Sequence, residues 1–136
     1  ISGAPGFDTP ATNGGLAGVW FGTAGNTFEP SRDLSIQSSQ VNARLGTSVA
    51  FVGDFNGDGF GDFLVGAPDY DDGSTDEGAA FLYFGGASPN IGTDGHFQIN
   101  QASADFGRAV AGVGDVNGDG YADILVGAPE WDDGQS

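Results

Sequence analysis

Two nine-residue segments place acidic and amide side chains at spacings that suit a divalent cation. Residues 54–62 read DFNGDGFGD and residues 115–123 read DVNGDGYAD, so both follow the pattern D-x-N-x-D-G-x-x-D. Side-chain oxygens stand at positions 1, 3, 5 and 9, and the main-chain carbonyl of position 7 can turn inward. Ca²⁺ takes about six to eight hard oxygen ligands at roughly 2.3–2.6 Å. The spacing therefore predicts a calcium site in each segment.

The details of the segments separate this prediction from its alternatives. Gly59 and Gly120 at position 6 allow a sharp turn where a Cβ would clash. An EF-hand loop needs an acid at position 12, where this chain has Val65 and Val126. Mg²⁺ fits less well because it retains its waters and demands a small octahedron. The remaining alternative, a pair of solvated Asp/Asn/Gly turns, is weakened because the pattern occurs twice at the same place in a repeat.

The composition excludes several partners. The 136 residues include 19 acidic and 3 basic side chains, all three of them Arg, and the net charge is −16. Nucleic acid and anionic membrane surfaces attract clustered Lys and Arg, so neither is expected as a partner. There is no Cys for disulfides or thiolate metal sites. No apolar run approaches the roughly 20 residues of a membrane-spanning helix, so no membrane insertion is expected.

The chain is built from internal repeats. Residues 46–68 align without a gap with residues 107–129, and Gly46 and Gly107 lie 61 positions apart. The Gly-Ala-Pro at residues 3–5 likewise matches residues 66–68. We therefore divide the chain into the C-terminal part of one repeat (1–44), a complete repeat (45–105) and the N-terminal part of a third (106–136). With no Met at position 1 and both ends inside a repeat, we expect a processed product or a segment of a longer chain.

The coarse pattern within a repeat is all β. Short apolar or alternating runs predict strands at residues 49–52, 63–65, 79–84 and 96–100, and no segment has a helical period over ten or more residues. Four short strands in about 60 residues are typical of a β-propeller blade of antiparallel strands, which must stack on neighbours to bury both faces. A β-sandwich of two related halves is the alternative, and the strand count and long period disfavour it.

Three features of the repeat resemble the FG-GAP repeats of integrin α-subunit propellers and their bacterial relatives. These are the Phe106-Gly107 start, the acidic loop and the Gly-Ala-Pro end. The resemblance implies that each loop joins the first and second strands of a blade and binds Ca²⁺. It implies two ligand sets: Asp54, Asn56, Asp58, Phe60 and Asp62; and Asp115, Asn117, Asp119, Tyr121 and Asp123.

The chain also departs from this family's pattern. Leu45-Gly46 replaces Phe-Gly in the middle repeat. Family propellers have about seven blades, and this chain holds barely two. Integrins recognise ligands through loops of other blades and a partner subunit, so that activity is not carried over.

A second acidic segment follows the second and third Gly-Ala-Pro, at residues 69–73 and 130–134, whereas the first is followed by the less charged Gly6-Phe7-Asp8. A second cation site or a ligand loop is one interpretation, and a solvated turn is the favoured one. The aromatic residues at its start (Phe7, Tyr70 and Trp131) are expected to pack under the loop rather than bind a sugar. His96, the only His, is expected on the surface, and no sequence pattern supports a catalytic triad.

Together these features predict a non-catalytic, calcium-binding repeat protein with a structural or adhesive role, secreted or at the cell surface. Its blades are expected to be completed by the rest of a longer chain, or by copies of itself in a ring or filament. A protein or carbohydrate ligand is left open. The alternatives are an accessory propeller region of a secreted hydrolase and an integrin-like ligand-binding module.

Overall fold

The computed structural model describes residues 1–22, 31, 33–87 and 94–132, and all of its regular elements are strands. Within these residues no helix is long and apolar enough to cross a membrane. The strands are β1 (Ser2–Ala4), β2 (Leu16–Val19), β3 (Leu34–Gln37), β4 (Ser48–Gly53), β5 (Asp62–Ala67), β6 (Ala79–Tyr83), β7 (Gly95–Phe97), β8 (Ala109–Gly114) and β9 (Asp123–Gly127).

The strands form three antiparallel sheets in which sequence neighbours pair. The sheets are β1-β2-β3, β4-β5-β6-β7 and β8-β9. The middle sheet has the four-stranded meander expected of a propeller blade, so the predicted fold class is confirmed. The register pairs Leu64 with Ala50 on one side and with Leu82 on the other.

The fourth strand differs from its prediction. We expected residues 96–100 to be extended, but β7 ends at Phe97. Beyond it the N–H of Gln101 donates to the carbonyl of Ile99, which turns the chain away from the sheet. The alternation of apolar and polar residues thus continues past Phe97, but the hydrogen-bonded strand does not.

A bulge ends the first strand in two of the sheets. The register shifts between Phe51 and Gly53 and again between Gly112 and Gly114. Gly53 has φ +83° and Gly114 has φ +72°, a left-handed conformation that costs Gly little. The two acidic segments begin at the next residue, so the same bulge directs both of them away from the sheet.

The two central strands of the middle sheet, β5 and β6, are buried on both faces. One face packs against the first sheet in a cluster of Ala17, Val19, Leu45, Phe63, Val65, Ala67 and Tyr83. The other face uses Val52, Leu64, Ala80 and Leu82, with partly buried side chains of the third sheet (Val110, Ile124 and Val126) packed against them. Alternation along β5 and β6 thus divides their side chains between two neighbours, which explains why this blade needs both.

Glycines bring neighbouring sheets into main-chain contact. A Cβ on Gly66 would lie 2.0 Å from the carbonyl oxygen of Gly107, and a Cβ on Gly3 would lie 1.9 Å from that of Gly46. The first glycine of each pair belongs to a Gly-Ala-Pro segment and the second to the Leu-Gly or Phe-Gly start of the next repeat. The two ends of the repeat motif therefore meet across a sheet interface, where any side chain would clash.

The departure from Phe-Gly at residues 45–46 is accommodated in the core. Leu45 is 3% exposed and belongs to the first cluster, and Phe106 packs against the second. Leu45 bridges Gly15, as Phe106 bridges Gly78. Leu and Phe thus occupy the same place in successive repeats.

Candidate metal centre

The two acidic segments are loops between the first and second strands of adjacent sheets. Residues 54–61 connect β4 to β5, and residues 115–122 connect β8 to β9. Four of the five predicted ligand residues of each set therefore lie in one short loop, and the fifth, Asp62 or Asp123, is the first residue of the strand that follows. All ten residues fall in the described part of the chain. The two loops also fold alike, as their hydrogen bonds show.

The first Asp organises each loop. The carboxylate of Asp54 accepts the N–H groups of Gly57 (2.7 Å), Asp58 (3.0 Å) and Gly59 (2.8 Å). Asp115 accepts the corresponding three at 2.6, 3.1 and 2.8 Å. Three donors on one carboxylate curl the main chain around it, which is the conformation that a cation-wrapping loop requires.

These donors also favour the charged form of Asp115. The N–H of Gly120 makes the largest contribution, and the other loop N–H groups add to it against an opposing effect of burial, so the pKa of Asp115 is lowered. Because the folded-state pKa is lowered, the stabilisation is present above the ordinary Asp pKa and is lost as the pH falls through the lowered value. Asp115 is therefore a carboxylate at neutral pH, the form that ligates a metal.

Left-handed glycines make the turn possible. Gly57 and Gly59 have φ +78° and +87°, and Gly118 and Gly120 have φ +80° and +94°. The sequence prediction concerned position 6 (Gly59 and Gly120), and the structure shows that position 4 needs the same freedom.

The third and fifth positions are exposed and bonded to each other. The amide of Asn56 donates to Asp58 (2.9 Å), and the N–H of Asp58 donates back to Asn56 (3.0 Å). Asn117 and Asp119 repeat both bonds at 3.0 and 2.8 Å. Among the described residues, no three carboxylate or imidazole side chains converge in an arrangement that could hold a metal.

The last Asp of each loop ties the loop to the sheet. Asp62 is fully buried, and its two oxygens accept the N–H of Phe55 (2.7 Å) and that of Gly85 beyond the end of β6 (2.8 Å). Asp123 makes the equivalent first bond, to Val116 at 2.8 Å, and is only partly buried. The donor set of each loop (three carboxylates, one amide oxygen and one carbonyl) is chemically that of a Ca²⁺ ligand set. The loops thus fit the ion in donor type and curvature.

The second acidic segment is held by protein partners where the structure describes it. Arg44 pairs with Asp69 at 2.9 Å. The side chain of Gln40 both donates to the carbonyl of Asp71 (2.9 Å) and accepts its N–H (2.6 Å). In the later segment Gln101 accepts the N–H of Asp132 (3.1 Å), and residues 133–134 lie outside the described residues. These bonds fix both segments as turns against the preceding repeat.

The aromatic residues of these turns behave unequally. Tyr70 packs edge-on against Phe81, with ring centroids 5.2 Å apart, as predicted. Phe7 is 45% exposed, and the equivalent of Phe81 in its repeat is Gly18, so the prediction that it packs under its loop is wrong. For Trp131, which is 57% exposed, the position equivalent to Phe81 falls after residue 136, so its packing stays a prediction. Within the described residues, only the middle repeat offers the aromatic partner that such packing needs.

His96 lies on the surface, as expected. Its ring stacks on Phe81 at 5.0 Å, and its Nδ1 lies 3.6 Å from an oxygen of Asp72. The acid that it faces therefore belongs to the second acidic segment and not to a nucleophile–base arrangement.

Asp76 lies close to the acidic segment 69–73, and its pKa reports the charges around it. Burial contributes most, and the carboxylates of Asp69, Asp71 and Asp105 add to it, so the pKa of Asp76 is raised. A raised carboxyl pKa contributes stability that is fully present below the ordinary Asp pKa and is lost as the pH rises through the raised value. Asp76→Asn should therefore have the higher Tm at pH 7, and its advantage should disappear below the ordinary Asp pKa.

Thermal unfolding of wild type and Asp76→Asn at a series of pH values checks this expectation. Asn13 occupies the equivalent position of the first repeat with φ +49°, close to the +52° of Asp76, so the backbone tolerates Asn. A Tm advantage that grew toward acidic pH would contradict the assignment.

Sequence reasoning missed Glu77. Its side chain is fully buried, and neither carboxylate oxygen has a hydrogen-bond partner in the structure. The first repeat has Gly14 at the equivalent position. This difference between the repeats is the one feature of the sequence that distinguishes Glu77, and it does not indicate burial.

The comparisons with known proteins agree with the architecture. A family model, the FG-GAP repeat, matches residues 45–83 and 106–136, about half of the chain. Integrin alpha-6 of Gallus gallus is 40% identical over 100 residues, covering 73% of this chain and 9% of the integrin. Integrin alpha-5 of Xenopus laevis is 32% identical over 109 residues (76% and 10%), and integrin alpha-PS2 of Drosophila melanogaster is 36% identical over 112 residues (76% and 8%).

The chain spans about a tenth of the length of these curated relatives. The matched family segments contain the two acidic loops and the Gly66–Gly107 pair that joins the second and third sheets. The chain therefore belongs to the FG-GAP repeat family, and its sheets are β-propeller blades of that family.

Proposed function

We propose that the chain is a non-catalytic, calcium-binding part of an extracellular or cell-surface adhesion protein, with one Ca²⁺ in each acidic loop. The observation that carries this proposal is the duplicated loop. Seven hydrogen bonds of loop 54–62 recur at the matching atoms of loop 115–123. Two loops with the same donor set and the same curl support a shared ligand more strongly than one loop would.

The proposed role of the ion is to stabilise the blades. Each nine-residue segment carries three carboxylates, and their mutual repulsion opposes folding unless a cation offsets it. Extracellular calcium modules bind with Kd on the order of 10⁻⁴–10⁻³ M, so millimolar Ca²⁺ keeps such loops filled. At a tenfold excess over Kd each site contributes about 1.4 kcal/mol to the free energy of unfolding.

The adhesive part of the proposal rests on the integrin alpha relatives. Since those proteins are about ten times as long, we propose that the blades of this chain are completed by further repeats of a longer chain. Self-association into a ring or filament is the alternative way to cover the exposed face of the third sheet, where Leu125 is 61% exposed.

Removal of the metal tests the proposal. Thermal unfolding in millimolar Ca²⁺ and in excess chelator should differ by about 10 °C for the wild type, since two filled sites add about 3 kcal/mol. Asp58→Ala/Asp119→Ala should unfold at one temperature in both buffers. Asp72→Ala removes a carboxylate outside the loops and should keep the wild-type response. A wild-type Tm that ignored Ca²⁺ would overturn the proposal.

A further inference from the structure

The two acidic loops touch each other across the sheet interface. The N–H of Ala122 donates to the carbonyl of Asp54 at 3.2 Å. The ring of Tyr121 lies against Gly57, where an added Cβ would be only 2.6 Å from Tyr121 Cε1. Gly53, at the start of the first loop, likewise faces the Cβ of Ala122, 3.3 Å from the position of an added Cβ. The end of one loop therefore forms a wall of the other.

The contacts fall on the groups that matter for ion binding. Asp54 is the carboxylate that gathers three N–H donors, and Gly57 supplies one of them. On the other side, the carbonyl of Tyr121 belongs to the proposed ligand set of loop 115–123. When the second loop becomes ordered around an ion, the Tyr121 ring and the Ala122 N–H, which contact Gly57 and Asp54, are fixed in place. When the first loop becomes ordered around an ion, it in turn restricts Tyr121 and Ala122.

We propose that the two loops take up Ca²⁺ as a positively coupled pair, with Tyr121 as the positioning residue between them. This inference rests on the proposed calcium function and concerns its regulation. The physical reason is conformational entropy, because the first ion orders Tyr121 and Ala122 and the second ion then has less ordering to oppose it. Repulsion between the two cations acts against coupling and is screened over about 8 Å at physiological salt.

Calorimetric titration of the calcium-stripped 136-residue chain tests the coupling directly. In Asp119→Ala only loop 54–62 retains its ligand set, and its Kd should be at least about fivefold weaker than the second-step Kd of the wild type. Asp58→Ala should weaken loop 115–123 by the same factor, since coupling between two binding sites is reciprocal.

Substitutions at the contact separate positioning from ligation. Tyr121→Ala leaves every proposed ligand atom in place, and it should keep both sites while the wild-type Hill coefficient above 1 falls to about 1. Tyr121→Phe keeps the ring and should restore the coupling. Phe60→Ala alters the same position of the first loop, where the side chain is 43% exposed and its Cβ lies beside Gly85, and should leave coupling intact.

A glycine pair provides the matched second test. Gly57→Ala and Gly118→Ala impose the same left-handed strain, since φ is +78° and +80°. Only the first places a methyl against Tyr121, because within the described residues nothing lies within 4 Å of a Cβ on Gly118. Gly57→Ala should therefore weaken Ca²⁺ binding at loop 115–123 as well as at its own loop, whereas Gly118→Ala should weaken loop 54–62 much less. Circular dichroism of each variant identifies any that fail to fold.

The outcomes are distinguishable. Two calcium ions bound by the wild type, with a Kd of the remaining loop in each single-loop variant equal to the second-step Kd of the wild type, would overturn the coupling and leave the calcium function standing. A tighter Kd in those variants would show that repulsion dominates, and it would also overturn the coupling. A wild type that binds no Ca²⁺ would overturn both proposals.

Discussion

Gly66→Ala is expected to destabilise the chain by at least about 3 kcal/mol, the upper range for overpacking a core, and to lower the Tm by about 10 °C. The new methyl would lie 2.0 Å from the main-chain oxygen of Gly107 and 2.3 Å from Ser48 Oγ. The Ser48 side chain can rotate away, although it donates to Gly107 (2.7 Å), but a main-chain carbonyl can yield only if the third sheet moves. Separating the sheets would open the cluster around Leu64 and Leu82.

Gly127→Ala is the matched control because Gly127 has the same place in the next Gly-Ala-Pro segment. Among the residues that the structure describes, a Cβ there would meet only Ala109, at 3.7 Å, which is ordinary contact. Its Tm should change by no more than a few degrees, because removing a glycine also lowers the entropy of the unfolded chain. Thermal or urea unfolding measures both variants. If Gly66→Ala and Gly127→Ala lost equal free energy of unfolding, the close main-chain contact between the sheets would not be the reason that Gly66 is needed.

Asp62→Ala is expected to cost about 3 kcal/mol or more even without calcium, because hydrogen bonds to a charged group are worth about 1.5–3 kcal/mol each. The substitution leaves the N–H groups of Phe55 and Gly85 without their acceptor at a fully buried position. The first N–H holds the loop and the second holds the chain after β6, so both connections should loosen together. Unfolding in excess chelator measures this cost apart from any loss of a metal ligand.

Asp123→Ala is the control for that result. Asp123 makes the bond to Val116, and the structure gives it no counterpart of the Gly85 bond. It is also only partly buried, so water can replace part of what is lost. We expect roughly half the cost or less. If the two substitutions were equally destabilising in chelator, the Gly85 bond would not be the source of the difference between the loops.

The periodic parts of the structure were predictable from the sequence. Local patterns predict the 61-residue repeat, its first three strands and the loop between the first two. Each of these patterns occurs twice in the chain, so each prediction has two independent supports. The left-handed glycine at position 6 followed from the turn that a cation loop needs. Leu45 at the place of Phe106 did not disturb the prediction because both are large and apolar.

Features that depend on neighbouring sheets were not predictable. The bond from Gly85 to Asp62 joins positions 23 residues apart, and nothing local marks Gly85 as its donor. The contact of Tyr121 with Gly57 needs the distance between two blades, which a linear motif does not contain. The exposed ring of Phe7 shows the same limit, since a match in sequence to Tyr70 does not guarantee a matching neighbour.

The calcium content of the purified chain tests the central claim most directly. After equilibrium dialysis against millimolar Ca²⁺ and metal analysis, we predict one bound ion per loop in the wild type. Asp58→Ala and Asp119→Ala should each lose one ion, and the double variant should lose both. A wild type that retained no more calcium than the double variant would contradict the account.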